Sequence, residues 1–394
     1  MLMRGGTSKG AYFLAGDLPG GPAERDDLLL RLMGSPDPRQ IDGLGGAHPL
    51  TSKVAVVSPS DHPDADVDYL FLQVSIEEPV VSDRQNCGNL LAGVGPFAVE
   101  RGLVPAGGDR TSVRIRMVNT GDLATDTFAT PGGHVDYAGS TALSGVPGTA
   151  APVVVEFPPR AGTLLPTGRV RDTVAGTPVT CVDNGMPTVL IAVGDLRDTG
   201  ITGITGYETP AVLEENTALA SRLQEIRLAA GALMGLGDVS AATVPKLSLL
   251  APPVDGGAVT TRTFIPVRCH TSIGVLGAAS VAAGLLIPGN VGEPVARLPR
   301  GAGPVRIEHP TGFLDVTASV TTGSTGTTGT TGTTGTTGKD STISGGGSVP
   351  VAGRTAVVRT ARKIFDGTVF ARPADPAPRP PVPESAPATL RRHR

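Results

Sequence analysis

The pattern of apolar and polar positions predicts the same order of elements twice along the chain. Each half is expected to contain a strand, an amphipathic helix, a lysine-bearing strand, a further strand and an apolar helix that begins at a cysteine. In the first half the pattern predicts these elements at 2–15, 23–33, 53–57, 69–76 and 82–104. In the second half it predicts them at 179–193, 213–234, 243–252, 260–267 and 269–287. Further strands are predicted at 112–118, 134–137, 153–157, 305–320 and 354–371. The order of elements indicates an internal duplication.

The two apolar helices show the duplication most clearly. Cys87 and Cys269 stand 182 positions apart, and the same offset relates Gly95 to Gly277. We expect each cysteine at the N-terminus of the central helix of its half, with the two helix starts facing each other. That meeting point is where the sequence predicts the chemistry.

The duplication also predicts how the chain divides into domains. An N-terminal domain is expected at 1–165 and a C-terminal domain at 166–372, whose last strand, 363–371, returns to the first domain. A run of Thr-Thr-Gly triplets within 321–348 is expected to form a flexible insertion, and the Pro-rich tail at 373–394 is expected to be disordered.

Composition narrows the classes of function. The 394 residues carry a net charge of −3, and aromatic residues make up only 3% with no Trp, which argues against a nucleic-acid partner. No apolar run reaches the roughly 18–20 residues of a membrane span, and the N-terminus has no signal-peptide pattern. Three cysteines are too few and too scattered for a disulfide framework or a zinc cluster. We expect a cytoplasmic protein that binds no metal, no nucleic acid and no membrane.

The N-terminal segment MRGGTSKG carries charged and hydroxyl groups on an open backbone. Arg4, Ser8 and Lys9 lie among glycines whose N–H groups are accessible, an arrangement that suits a carboxylate or a phosphate. The glycine spacing before Lys9 is not that of a P-loop. A hairpin with solvated charges is the alternative interpretation.

Lys53 and Cys87 are the candidate groups for proton transfer. A lysine at the start of an apolar strand is either a solvated strand end or a desolvated base. A thiol at a helix N-terminus is stabilised as the thiolate by the helix dipole, so Cys87 is a candidate nucleophile or general acid–base. The alternative for Cys87, and more strongly for Cys269, is a small buried residue, while Cys181 lies within a strand and is expected to be structural.

The chemistry that remains is proton transfer without a cofactor. The sequence has no dinucleotide-binding glycine fingerprint, and no His partner or acyl-transfer signature accompanies the cysteines. Proton transfer at a carbon beside a carboxylate or a ketone needs a base, an acid and positive groups that stabilise the enolate. The polar groups that we expect to converge are Arg4, Ser8, Lys9, Lys53, Asn86, Cys87, Asn89, Lys246, Cys269, His270 and His309.

Five motifs carry a family resemblance: MRGGTSKG (3–10), GSPDPRQIDGLGGA (34–47), TSK (51–53), NCGN (86–89) and HPTG (309–312). In these motifs the chain resembles the 2-methylaconitate cis-trans isomerase family, which has the diaminopimelate epimerase fold, and the resemblance extends to about residue 372. It implies an α+β fold of two pseudo-symmetric domains, each a strand-rich, barrel-like sheet around a central helix. The active site is then expected in the cleft between them.

The same resemblance implies that Lys53 and Cys87 are catalytic, whereas the second catalytic cysteine of the epimerases is not implied for Cys269. Further substrate contacts are expected at Gly88, Met186, Thr271, Ser272 and Thr311. The implied substrate is a small tricarboxylate, and the expected assembly is a homodimer.

Three segments point to one branch of the family. PDPRQIDGLGGAHPLTSKVA, DNGMP and TGYETP resemble the members that tautomerise 4-oxalomesaconate in the degradation of gallate and other aromatic acids. The implied reaction is a cofactor-independent allylic proton shift that converts the keto form to the dienol. The alternatives are cis-trans isomerisation of 2-methylaconitate or aconitate, and a non-catalytic carboxylate-binding protein.

Overall fold

The computed structural model describes residues 1–159, 163–240, 242–266, 268–301, 303–324 and 348–374. The predicted Thr-Gly insertion and Pro-rich tail lie outside these residues except at their edges. The strands of the first half are β1 Leu2–Gly5, β2 Ser8–Leu14, β3 Lys53–Pro59, β4 Val67–Val74, β5 Val81–Ser82, β6 Arg110–Met117, β7 Leu123–Ala129, β8 Thr141–Ala142, β9 Thr149–Ala150 and β10 Pro152–Phe157.

The strands that follow are β11 Asp172–Val174, β12 Thr177–Asp183, β13 Pro187–Ala192, β14 Lys246–Ala251, β15 Val259–Ile265, β16 Arg268–Cys269, β17 Val305–His309, β18 Gly312–Ser324 and β19 Ser348–Phe365. The helices are α1 Pro22–Met33, α2 Gly88–Leu91, α3 Val94–Glu100, α4 Pro210–Glu215, α5 Thr217–Leu233 and α6 Val275–Leu285.

The strands of the first half close into a barrel. Among the described residues the pairings run β1–β2–β3–β4–β6–β7–β10–β19 and then return from β19 to β1. The pairs β2–β3 and β4–β6 are parallel, and the other pairs of this ring are antiparallel. A closed sheet has no free edge and encloses an apolar interior, against which α2 and α3 pack.

The second half repeats this order of pairings. The run β12–β13–β14–β15–β17–β18 is parallel at β13–β14 and β15–β17 and antiparallel elsewhere, so each strand has a counterpart in β1–β2–β3–β4–β6–β7. The sheet packs around α6, whose residues are all buried. The predicted α+β fold with two pseudo-symmetric, barrel-like halves is confirmed.

The last strand, β19, belongs to both halves. Residues 348–357 pair with β18, residues 355–360 with β10, and residues 361–365 with β1. The strand predicted at 363–371 therefore lies earlier and ends at Phe365. Because β19 closes the first-half barrel, the two halves share one continuous sheet. The domain boundary near residue 165 stays a prediction.

The central helices differ between the halves. In the first half the helical stretch is broken into α2 and α3, because Pro96 has no N–H to donate to the carbonyl group of Ala92. The equivalent residue in α6 is Ala278, and α6 is unbroken. Cys87 is the N-cap of α2, whereas Cys269 lies in β16, well before α6 begins. The prediction that Cys269 begins a helix is wrong.

The apolar pattern does not predict β7. Residues 134–137, predicted as a strand, are irregular, and the strand lies at Leu123–Ala129. The inward positions of β7 are Ala124, Asp126 and Phe128. The buried carboxyl group of Asp126 interrupts the apolar alternation by which a strand is identified.

Candidate active site

The glycine turn between β1 and β2 lies directly against α2. A Cβ on Gly6, whose φ is +51°, would lie 2.2 Å from Oδ1 of Asn89, and a Cβ on Gly5 would lie 2.4 Å from the Asn89 carbonyl oxygen. The Thr7 amide donates to Asn89 Oδ1 at 3.4 Å. The glycines are therefore required by the close approach of the NCGN segment, and part of the N–H capacity of the turn is used within the protein.

Two buried tyrosines hold the segment that carries Cys87. The Tyr69 hydroxyl donates to the Cys87 carbonyl oxygen at 3.2 Å, and the Tyr12 hydroxyl donates to the Leu90 carbonyl oxygen at 2.6 Å. Burial, with a smaller contribution from the Cys87 thiol, raises the pKa of both tyrosines well above the usual value. Both hydroxyls therefore remain protonated donors and fix the backbone on either side of the thiol, whose residue is 8% exposed.

The two halves touch beside Cys87. A Cβ on Gly88 would lie 2.8 Å from the Cβ of Val275, the first residue of α6. Only a residue without a Cβ fits at this contact without a shift of one of the two backbones. The geometry agrees with the expectation that the central segments of the two halves face each other.

Lys53, the first residue of β3, is buried, with 7% of its surface exposed. Its Nζ donates to Oε1 of Gln73 at 2.7 Å and lies 4.9 Å from the centroid of the Phe71 ring. Gln73 is held in turn because its Nε2 donates to the carbonyl oxygens of Pro49 and Ser52. The burial of Lys53 argues against the interpretation as a solvated strand end.

His270 connects the lysines of the two halves. Its Nδ1 accepts a hydrogen bond from the Ser272 amide at 2.8 Å. Burial, followed by the charges of Lys53 and Lys246, lowers the pKa of His270 to about 4. The imidazole is therefore neutral at pH 7 and carries its proton on Nε2. The charges of Lys53 of the first half and of Lys246 of the second half therefore act on the same ring.

His309, in the HPTG turn, is a second buried neutral imidazole. The Ser272 hydroxyl lies 3.3 Å from its Nε2, and the Thr311 hydroxyl lies 3.3 Å from its Nδ1. Burial, followed by the charge of Arg359, lowers the pKa of His309 to about 4. At neutral pH this ring contributes hydrogen bonds and no charge.

Lys246 begins β14 as Lys53 begins β3, but its surroundings are different. It is 6% exposed, and its Nζ has no hydrogen-bond partner among the described residues. Burial, followed by the charge of Arg227, lowers its pKa to about 8. A buried ammonium group without a hydrogen-bond partner among the described residues is suited to bind an anion.

Arg4 is turned away from this cluster. Its Nη1 donates to the carbonyl oxygens of Gly6 and Thr360, at 2.9 and 3.0 Å, and to the Thr360 hydroxyl. Arg4 lines a separate cavity of about 430 Å³ together with Tyr137 and Arg362, and neither Lys53 nor Cys87 lines it. The structure therefore does not place Arg4 with the predicted catalytic pair.

The thiol of Cys269 also faces elsewhere. It packs in the apolar cluster of the second half with Leu213 and Leu219, whereas Cys87 belongs to the cluster that spans both central helices. The Cys269 amide donates to Oε1 of Glu214 at 3.0 Å, and burial raises the pKa of the thiol to about 12. The burial of this thiol among apolar side chains favours the interpretation of Cys269 as a small buried residue.

The other predicted contacts divide by burial. Ser8 is buried, and its hydroxyl has no partner among the described residues, whereas Nδ2 of Asn86 is bonded to the Thr120 hydroxyl at 2.6 Å near the surface. Nζ of Lys9 lies close to Gly46 and Thr51. The Met186 carbonyl oxygen accepts from the Thr188 and Ser280 hydroxyls, and Thr271 and Thr311 are exposed.

Two residues of this region are not predicted by the motifs. Gln73 holds Lys53, and Arg359 of β19 acts electrostatically on both Cys87 and His309. The sequence does contain a signal for Arg359, because alternation along β19 places it on the same face as the buried Val357 and Ala361.

Within the described residues no three His, Cys, Asp or Glu side chains are grouped so that they could hold a metal ion. None of the helices in the described ranges is long and apolar enough to span a membrane.

Comparison with known proteins agrees with the predicted resemblance. The chain is 53% identical over 375 residues to the (4E)-oxalomesaconate Delta-isomerase of Novosphingobium sp. (strain KA1), which covers 94% of this chain and 96% of the relative. It is 51% identical over 374 residues to the 4-oxalomesaconate tautomerase of Pseudomonas putida, with 94% of each chain covered.

A solved structure and a family match complete the comparison. The crystal structure of a methylitaconate-delta-isomerase superposes with a TM-score of 0.73 at 33% identity and covers 94% of each chain. The predicted diaminopimelate epimerase-like fold is confirmed. Residues 1–372 match the family described as PrpF protein. The chain therefore belongs to the PrpF family.

Proposed function

We propose that this chain, an isomerase, moves a proton along the allylic system of 4-oxalomesaconate, with Lys53 and Cys87 as its acid–base pair. The observation that carries the proposal is that both groups rest on one strand. Lys53 lies over the ring of Phe71 and binds Gln73, while Tyr69 of the same strand holds the Cys87 carbonyl group. The substrate is the one for which the two relatives at 53% and 51% identity are named.

The reaction needs one proton removed and one returned. One member of the pair takes a proton from the carbon next to the keto group, and the electrons shift onto the keto oxygen. The other member supplies a proton to that oxygen, so the product is the dienol, which has the composition of the substrate, and no cofactor is consumed. Which of Lys53 and Cys87 acts first is open.

The negative charge of the intermediate and of the carboxylates needs positive groups and hydrogen-bond donors. Lys246 supplies a buried ammonium group, and His270 is a neutral donor on which the charges of both lysines act. In a site with little water these fixed groups stabilise a developing enolate more effectively than solvent does. A tricarboxylate substrate, a cytoplasmic location, a homodimer and a place in gallate degradation stay predictions.

The test is turnover of 4-oxalomesaconate, followed by ultraviolet absorbance, for the wild type, Lys53→Ala and Cys87→Ala. Each variant is expected to lose a factor of about 100–10,000 in kcat, which is the usual contribution of a positioned acid or base. Cys181→Ala, which removes a buried thiol from β12, is the matched control and keeps its activity. Near-normal turnover by both site variants would exclude the assignment.

The same assay separates the alternatives. Run beside 4-oxalomesaconate, 2-methylaconitate and aconitate reveal a cis-trans isomerase if either is the faster substrate. A carboxylate-binding protein would bind these acids and turn over none of them. Proton NMR in D₂O then identifies the carbon that exchanges its hydrogen.

A further inference from the structure

Arg359 is a charged residue in an apolar wall. Together with Val357 and Ala361 it forms the inward row of β19, whereas Val358 points outward and is 41% exposed. Arg359 itself is 4% exposed. The chain thus places a guanidinium group on the face of β19 that covers the core of the first half.

Nothing in the described part of the chain compensates this charge. The Nε of Arg359 has no hydrogen-bond partner there, and no described carboxylate pairs with the side chain. Burial lowers its pKa to about 10, and the group that acts in the opposite direction is Cys87. Buried charges are normally paired, because an isolated buried charge loses its hydration without gaining a compensating interaction. The missing partner is therefore expected to come from outside the protein.

The position of the guanidinium indicates which molecule supplies that partner. Arg359 lies on the strand that the two halves share, where it pairs with Val153 of β10, a few residues after the part of β19 that pairs with β18. Its charge acts on His309 of the second half, and the Cys87 thiol of the first half acts on Arg359. Arg4, the arginine of the glycine turn, is occupied by Gly6 and Thr360. Arg359, in contrast, has an Nε that no described residue occupies, so this donor remains available to a ligand.

We propose that Arg359 binds a carboxylate of the substrate and that this carboxylate supplies the counter-charge that the protein lacks. The inference rests on the proposed function, which makes the substrate a carboxylic acid. A planar guanidinium group pairs with a carboxylate through two parallel N–H···O bonds, so it fixes orientation as well as charge. The anchored end of the substrate then lies beside Cys87, and its conjugated carbons extend towards Lys53.

Binding can be measured without turnover by using tricarballylate, a saturated tricarboxylate that has no allylic system. The readout is the change in Tm that tricarballylate produces. We expect tricarballylate to raise the Tm of the wild type and to leave the Tm of Arg359→Met unchanged. The matched control is Arg362→Met, which replaces an exposed arginine of the same strand, and its Tm should rise as that of the wild type does. Without ligand, Arg359→Met should melt at or above the wild-type temperature, because it removes an uncompensated charge. If Arg359→Met does not fold, Arg359→Lys carries the test and should bind tricarballylate at least tenfold more weakly.

Kinetics give the second readout. Arg359→Met should raise KM for 4-oxalomesaconate by roughly 100-fold, the usual loss when one partner of a buried ion pair is removed. Wild-type affinity for tricarballylate in both Arg359 variants would overturn the proposal. A shift in the pH profile of Cys87 alkylation with ligand binding intact would overturn it as well, since Arg359 would then act on the thiol.

The two proposals can fail separately. If the wild type binds tricarballylate through Arg359 but does not convert 4-oxalomesaconate, the proposed function is wrong and the carboxylate site stands. If the wild type converts 4-oxalomesaconate and the Arg359 variants bind normally, the function stands and the carboxylate site is wrong.

Discussion

Each half has a lysine that begins a strand and a cysteine that precedes the central helix, and the two halves use these residues differently. Lys53 is bonded to Gln73 and rests on Phe71, and Cys87 caps α2 at the contact between the halves. Lys246 has no hydrogen-bond partner among the described residues, and Cys269 is packed in the core of the second half. Under the proposed function, the first half positions the groups that transfer protons, and the second half contributes positive charge and packing.

The difference shows that duplication conserves architecture more strictly than chemistry. The order of parallel and antiparallel pairs is the same in both halves, because the strands must close around a helix in each. The residues at the ends of those strands are free to diverge. Pro96, which breaks the first central helix, has Ala278 as its counterpart, and only the broken helix carries its cysteine at a cap.

The largest expected effect is a difference between Lys53 and Lys246 in the kinetic constant that each substitution changes. Lys53→Met should lower kcat by about 1,000-fold with a small change in KM, because the group transfers a proton. Lys246→Met should raise KM by roughly 10- to 100-fold and change kcat less, because the group binds a carboxylate. Steady-state kinetics with 4-oxalomesaconate measure both. Equal losses of kcat in the two variants would show that the halves contribute alike to catalysis.

A smaller effect is expected in the pH dependence of stability. The pKa of Lys246 falls from 10.5 to about 8 on folding, so between these pH values the folded protein binds fewer protons than the unfolded chain. The residue therefore destabilises the fold fully below pH 8, by roughly 3 kcal/mol, and less as pH rises towards 10.5. Lys246→Met should be more stable than the wild type at pH 7, with a gap that narrows by pH 10 in urea titrations.

Lys53→Met is the matched control for that measurement. It leaves the half-buried Oε1 of Gln73 without the Lys53 donor, so it should be less stable than the wild type at pH 7. A constant gap between Lys246→Met and the wild type from pH 7 to pH 10 would argue against a depressed lysine pKa in the second half.

The smallest effect is expected for the cysteine of the second half. Cys269→Ala should keep turnover within about threefold of the wild type and lose about 1 kcal/mol of unfolding free energy, because it removes a packed thiol and leaves Lys53 and Cys87 untouched. Turnover and urea denaturation of the same preparation measure both quantities. A loss of activity as large as that of Cys87→Ala would restore the symmetric pair of cysteines.

Much of the fold is predictable because the duplicated pattern is strong. The lysine-bearing strands, β4 and α1 lie close to their predicted bounds, since each has a largely apolar face. β7 is missed because Asp126 occupies an inward position. The Cys269 helix start is wrong because residues 270–272 are polar, and the apolar run that forms α6 begins only after them. Local pattern does not distinguish a buried carboxyl group from a surface one.

The candidate site was predictable in its parts and not in its arrangement. The motifs identify Lys53, Cys87 and His309, because each lies in a run of unusual residues. Only the tertiary structure distinguishes Arg4 from Arg359. The guanidinium group of Arg4 donates to backbone carbonyl groups, whereas Nε of Arg359 has no partner among the described residues. Which arginine remains available to a ligand depends on β19, which pairs with strands far away in sequence.

The position of β19 also orders the assembly of the molecule in time. Synthesis proceeds from the N-terminus, so β1 and β10 emerge from the ribosome long before residues 348–365. Until those residues arrive, the first barrel lacks the strand between β1 and β10, and the guanidinium group of Arg359 is absent from its wall. The half that is encoded first is therefore completed last, and premature termination anywhere before β19 leaves both the barrel and its candidate site open.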